Sequence, residues 1–274
     1  MLKRLRTACL LREDLLLSSL TYFIDISSAE IEPPSARINP RRSKESFHTM
    51  ITARALFLAF AVSFSAQAAE PLLIEAYGDS TTLGISCINN ECRENKGNAV
   101  AYLQDELRAK FGDAVTVSNL GLGGTMATQL YAGTDRSPVV PWPDRMKLSR
   151  ARIVMINYGI NEVVQNQTPK QFYDVETALV KAALTNGKLP VLATSNPVLG
   201  GRFNVRVAMM ARMTRRVAKE QNVPLIDQFE YVSALPDWQR GMSDGAHPNA
   251  SLYKLKADRD FAVLDPIVRQ LIAR

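Results

Sequence analysis

Leu72-Leu73-Ile74-Glu75-Ala76-Tyr77-Gly78-Asp79-Ser80 is the stretch on which the reading of the fold turns. Residues 72–77 form a short, mostly apolar run, which suits a buried strand. The run stops at a glycine, and Gly78-Asp79-Ser80-Thr81-Thr82 follows as a tight turn. A serine at such a turn projects its hydroxyl into the crevice beyond the strand. Gly78 lets the backbone turn and keeps the approach open. Alone, Gly-Asp-Ser is ordinary turn composition, so its meaning depends on the rest of the chain.

Outward from this point the same pattern repeats. Residues 98–111 have helical spacing, with Ala99, Tyr102, Leu103 and Leu107 on one face. Residues 114–119 read as a second strand between Gly112 and Gly121, and 152–158 as a third. Thr168-Pro169 supplies a cap and first-turn proline for a helix over 171–185. A fourth strand covers 189–194 and stops at Asn196-Pro197. A long helix spans 204–220, with Val205, Met209, Met213 and Val217 as its expected core-facing stripe. A short fifth strand at 223–226 and a closing helix over 251–272 complete the pattern. Such alternation implies a three-layer α/β/α fold around a five-stranded parallel sheet covered on both faces. Ligands in these folds sit beyond the carboxyl ends of the strands, so site residues should fall just after strands.

The composition, 46% hydrophobic and 22% charged over 274 residues, is that of one globular domain with a sizeable core. The net charge of +6 is uneven: residues 1–68 carry 9 basic and 6 acidic side chains, and the remainder 24 and 21. So small an excess gives no reason to expect a nucleic-acid partner. From Met50 a short basic start, an apolar run from Ala55 to Phe64 and the small-x-small end Ala66-Gln67-Ala68 read as a secretory signal peptide. Residues 50–68 are therefore the expected signal and 69–274 the mature domain, periplasmic or secreted. Residues 1–49 are either an overcalled start or a genuine N-terminal extension. The apolar run at 15–24 is closely bracketed by charge and is not read as a membrane helix, so no transmembrane segment is expected after cleavage. Cys87 and Cys92, in a polar loop, are either a small disulfide in an oxidising compartment or two free thiols. No second Cys or His cluster suggests a structural zinc site.

Three further segments carry chemical potential. Ser243-Asp244-Gly245-Ala246-His247-Pro248-Asn249 lies before the closing helix. A serine nucleophile needs an imidazole to take its proton, and the imidazole needs a carboxylate to fix its tautomer. Asp244 is three residues before His247, so a turn can bring it to Nδ1 and leave Nε2 for Ser80. His48 and His247 are the chain's two histidines, which leaves His247 alone in the mature domain. The other reading is a helix-capping loop. Asn119-Leu120-Gly121-Leu122-Gly123-Gly124-Thr125 follows the second strand and offers backbone N–H groups for developing negative charge. It is not a dinucleotide fingerprint, because Met126 occupies the last glycine position, and nothing resembles a Walker lysine. Gly159-Ile160-Asn161-Glu162 follows the third strand, where an Asn amide can donate to an oxyanion.

Taken together, the four segments resemble the ordered blocks of the SGNH, or GDSL, hydrolase family across residues 78–247. Gly78-Asp79-Ser80 is similar to its first block, which supplies the nucleophile. Gly124 aligns with the oxyanion glycine, Gly159-Ile160-Asn161 resembles the block whose Asn is an oxyanion donor, and Asp244-x-x-His247 resembles the last block. The resemblance implies a flavodoxin-like fold and a serine esterase with Ser80, His247 and Asp244 as triad. It implies an oxyanion hole of Ser80, Gly124 and Asn161, and neither metal nor organic cofactor. Glu162 stands where the family carries Asp, which bears on the hydrogen bonding around Asn161. The implied substrates are small-molecule, lipid or acylated-glycan esters, with short or medium acyl chains as the default. The alternatives are a carbohydrate O-acetylesterase or acetyltransferase, and a non-catalytic binding protein on the same fold. Arg202, Arg206, Arg212, Arg215, Arg216 and Lys219 form either a solvated helix face or a contact with an anionic surface. Oligomeric state is not readable. N-terminal sequencing of the exported protein should begin at Ala69; a mature chain that retains Pro33-Pro34 would refute the signal assignment.

Overall fold

The computed structural model describes residues 70–89 and 91–273. The segments read as an extension and a signal peptide, 1–49 and 50–68, lie outside them.

In chain order the elements are β1 (Leu72–Gly78), α1 (Ser80–Leu83), β2 (Ile85–Ile88), β3 (Glu91–Glu94), α2 (Ala99–Phe111), β4 (Val115–Asn119), α3 (Ala127–Ala132) and α4 (Trp142–Leu148). Then come β5 (Ile153–Tyr158), α5 (Ile160–Val164), α6 (Pro169–Thr185), β6 (Leu189–Thr194), α7 (Gly201–Gln221), β7 (Leu225–Ile226), α8 (Gln228–Ser233) and α9 (Ala250–Ile272). Five strands form one parallel sheet in the order β4-β1-β5-β6-β7. The two strands absent from the sequence reading, β2 and β3, pair as a separate antiparallel hairpin.

The period-two alternation of the strands builds the three layers. Ile74, Ala76, Ile153, Met155, Val191 and Ala193 face one side and pack with Leu103 and Leu107 of α2 and Tyr253, Ala257 and Leu264 of α9. Tyr77, Val154, Ile156, Tyr158 and Leu192 face the other side, against Trp142 of α4, Phe172 and Leu179 of α6, and Val207 and Met210 of α7. The stripe expected on the long helix needs correction. Of the expected residues, Val217 is buried and Met213 packs against the core, but Val205 and Met209 are 60% and 39% exposed, and Val207, Met210, Ala211, Thr214 and Ala218 are buried instead. The α7 basic residues are partly tied down: Arg215 grips Asp227 at 2.5 and 2.9 Å, and Arg216 pairs with Glu220 at 2.7 Å. Among the described residues no helix is long and apolar enough to cross a membrane.

β1 lies between β4 and β5, so consecutive connections leave its carboxyl end in opposite directions. That is a topological switch point, where the crossovers diverge and leave a crevice. The turn out of β1 is sterically exacting. A Cβ on Gly78 would lie 2.0 Å from Thr82 Oγ1 and 2.6 Å from the Asn157 carbonyl oxygen of β5. Gly78→Ala must push these apart and should cost about 1–3 kcal/mol, a fall in melting temperature of about 3–10 °C. Thermal unfolding followed by circular dichroism checks this, and an unchanged midpoint would contradict the packing described.

Candidate active site

Each segment singled out in the sequence meets at the carboxyl edge of the sheet. Asp79 caps α1, accepting hydrogen bonds from the Thr81 backbone N–H and hydroxyl, both at 2.8 Å. This fixes the first turn of α1, whose first residue is Ser80. The Ser80 hydroxyl oxygen lies 2.8 Å from His247 Nε2, and His247 Nδ1 lies 2.8 Å from Asp244 Oδ2. With a carboxylate at Nδ1, the proton belongs there, and Nε2 is left to accept from the serine hydroxyl. The other Asp244 oxygen accepts the backbone N–H groups of Ala246 (2.7 Å) and His247 (2.6 Å). Burial by itself would raise the Asp244 carboxyl, but these bonds and the imidazole together hold it below the ordinary carboxylate range.

The loop bearing Asp244 and His247 is held from three directions. Within the loop, Ser243 donates N–H and hydroxyl to the His247 carbonyl at 2.8 and 2.9 Å. From the hairpin, the Cys87 N–H donates to Ser243 Oγ (2.9 Å), and the Ser86 hydroxyl to the Pro248 carbonyl (2.8 Å). From the segment after β6, the Leu199 N–H donates to the Gly245 carbonyl (2.7 Å) and Asn196 Nδ2 to the Ala246 carbonyl (3.2 Å). Cys87 and Cys92 are bonded to each other across β2 and β3, with an S–S distance of 2.01 Å. They therefore sit in a hairpin rather than in the expected loop.

The oxyanion candidates come from the two strands flanking β1. The glycine-rich loop after β4 is anchored by the Leu122 N–H to the Gly78 carbonyl (2.9 Å), and a Cβ on Gly123 would stand only 3.8 Å from that of Ser80. Gly124 has φ +77° and is exposed, a conformation that costs glycine nothing. Asn161, in the first turn of α5, donates one amide hydrogen to the Thr125 carbonyl at 2.9 Å, which leaves the other for a ligand. Glu162 is fully buried and accepts the N–H groups of Ala127 and Gly159, each at 2.8 Å. Burial drives its carboxyl up to about 7, against the pull of these bonds. The family's Asp-to-Glu departure thus leaves a longer arm that ties the Asn161 turn to the loop carrying Gly124.

Two features had no sequence signal. Lys256 of α9 is buried, and its ammonium donates to Asn196 Oδ1 (2.9 Å), so it braces the Ala246 carbonyl through Asn196. Burial lowers the Lys256 ammonium to about 8, opposed by the charges of Asp260 and Asp79. Beside it a cavity of about 30 Å³ is lined by Thr81, Asn157, Gln228, Lys256 and Asp260, among others. Asn157 Oδ1 and Gln228 Oε1 have no partner there, and the space suffices for a water to serve them. Among the described residues, Cys87, Asp244 and His247 are the one group of potential metal ligands close enough to share an ion. In this state the sulfur is spent in the disulfide and Nδ1 on Asp244, so the group does not suit a metal.

The five-stranded parallel sheet with helices on both faces is an α/β fold, and Ser80, His247 and Asp244 meet at its switch point. Residues 76–255 match the GDSL-like Lipase/Acylhydrolase family, and the chain belongs to it. No curated protein matches the chain. Among solved structures, it is similar to the lipase/acylhydrolase from Enterococcus faecalis, at 20% identity and TM-score 0.57, covering 74% of this chain and 96% of that one. It also resembles an acetylxylan esterase from Geobacillus stearothermophilus (18%, TM-score 0.57, covering 70% and 94%). A third is a carbohydrate acetylesterase from Sinorhizobium meliloti (14%, TM-score 0.57, covering 73% and 99%). At these identities the likeness is one of fold.

Glu162→Gln offers a test of the brace. The amide nitrogen must face one of two buried N–H groups, which should cost about 1–3 kcal/mol and lower the denaturation midpoint in urea. A midpoint equal to that of the parent would mean the carboxylate is not needed as a double acceptor.

Proposed function

We propose that the protein is a carboxylic ester hydrolase that uses Ser80 as nucleophile, His247 as general base and Asp244 as the group orienting the imidazole. The observation that carries this reading is the unbroken line from Ser80 Oγ through His247 to Asp244, with both links at 2.8 Å. Ser80 Oγ attacks the ester carbonyl while Nε2 takes its proton. The imidazolium that forms is stabilised by Asp244, whose lowered pKa keeps it ionised at neutral pH. The backbone N–H groups of Ser80 and Gly124 and the free amide hydrogen of Asn161 face the developing oxyanion. His247 then returns the proton to the leaving alcohol. Water, deprotonated by the same imidazole, releases the acyl group from Ser80.

Short or medium acyl esters are the substrate class we take as the default for this site. A second reading is acetyl release from carbohydrate, in keeping with the activities for which two of the fold relatives are named. The Cys87–Cys92 bond supports an oxidising destination, and we place the mature domain in the periplasm or outside the cell.

Ser80→Ala should abolish hydrolysis of p-nitrophenyl butyrate, and Asn161→Ala should lower kcat by about 10²–10³-fold with little change in KM. A fluorophosphonate probe should label the parent and not Ser80→Ala. Full turnover by Ser80→Ala would sink the proposal, and failure of the probe to label the parent would favour a non-catalytic binding protein. Acetate release from acetylated xylan, compared with butyrate release, separates the two substrate readings.

A further inference from the structure

Resting on the esterase reading, we infer that the Cys87–Cys92 disulfide is a positioning element of the site: it covers Asp244 Oδ2 with a sulfur that has no proton, so that His247 alone donates to that oxygen. Cys87 Sγ lies 3.0 Å from Asp244 Oδ2 and 3.8 Å from His247 Nδ1. Half of a disulfide cannot donate a hydrogen bond, whereas a thiol can. Oδ2 therefore has one donor, the imidazole N–H at 2.8 Å, and a second neighbour that only shields it. The same residue fixes the loop through its backbone, since the Cys87 N–H holds Ser243 Oγ at 2.9 Å.

Breaking the bond changes the chemistry at Oδ2. Cys87 is 7% exposed and Cys92 is exposed, so an external thiolate attacks the Cys92 sulfur and Cys87 is the leaving group. A dithiol such as dithiothreitol supplies the two electrons and two protons, and departs as its cyclic disulfide. The released Cys87 sulfur faces a carboxylate at hydrogen-bond distance. A thiolate there would be repelled, so the sulfur takes a proton and turns it toward Oδ2. Two donors then share one carboxylate oxygen. The imidazolium formed during catalysis receives less stabilisation, and His247 becomes a weaker base. The other titratable or charged groups near this pair are Asp79 at the cap of α1 and Tyr253 and Lys256 on α9.

The experiment compares four forms of the full mature domain: the oxidised parent, the parent reduced with dithiothreitol, Cys92→Ser, and Cys87→Ala/Cys92→Ala. Cys92→Ser keeps the Cys87 thiol without the bond, while the double variant removes both. For each, kcat and KM on p-nitrophenyl butyrate are measured across pH, with thermal melting alongside. The reduced parent and Cys92→Ser should lose about tenfold in kcat with KM little changed, and the acid limb of the rate profile should move to lower pH by up to about one unit. The double variant should lose less than Cys92→Ser and keep the acid limb of the oxidised parent. A redox-insensitive parent overturns the inference. So does a double variant as slow as Cys92→Ser with neither limb displaced, because the bond would then be only a brace. A Cys92→Ser chain that melts far below the double variant also overturns it, by placing the harm of the thiol in folding. An oxidised parent that neither hydrolyses ester nor reacts with the phosphonate probe defeats the esterase reading itself, a separate outcome from redox insensitivity in an active enzyme.

Discussion

The pairing of β1 on both sides, with β4 and with β5, is the constraint from which the site follows. In register, Gly78 stands opposite Asn157, and Ala76 opposite Asn119. The three turns that leave these strands therefore emerge at one level of the sheet. Ser80, the Gly121–Gly124 loop and Asn161 are neighbours because hydrogen-bonded strands end together. Only the imidazole and its carboxylate come from elsewhere, and a separate set of contacts brings them in.

Those contacts place charge in the interior. Asp79, Glu162, Lys256 and Asp260 are all buried close to the reactive edge. Each has a specific task in the geometry: Asp79 caps the turn under Ser80, Glu162 spans two backbone donors, Lys256 holds Asn196, which in turn holds the Ala246 carbonyl, and Asp260 accepts from the Gln228 amide. Burial pulls the two families of group toward each other in acidity. It raises the carboxyls of Asp79, Glu162 and Asp260, and lowers the Lys256 ammonium. Such groups specify one arrangement of the turns, since any displacement leaves a charge or a donor unmet in a dry interior.

Much of this was legible beforehand because it rests on short-range signals. Apolar runs ending in glycine marked β1 and β4, and Thr168-Pro169 marked the start of α6 where the Thr168 side chain does accept the Gln171 N–H. The three-residue spacing of Asp244 and His247 was enough to anticipate their contact. What escaped was encoded at long range. The hairpin of β2 and β3 has no apolar run, since all four residues of β3 are exposed, and its stability comes from the cross-link and from the loop it grips. The stripe on α7 was displaced because Met209 and Met210 are adjacent and composition alone does not say which one faces inward. Lys256 carries no local signal, because its role depends on Asn196, sixty positions earlier in the chain.

The Ser80–His247 contact closes a loop of 167 residues. Between its ends lies most of the sheet, and the imidazole loop leads directly into α9, which packs on β1 and α2. A nascent or half-assembled chain holds the hydroxyl and the imidazole as unrelated groups, each no more reactive than the same side chain in a peptide. Their meeting is therefore a property of the finished fold, and any chemistry that needs both groups waits for it.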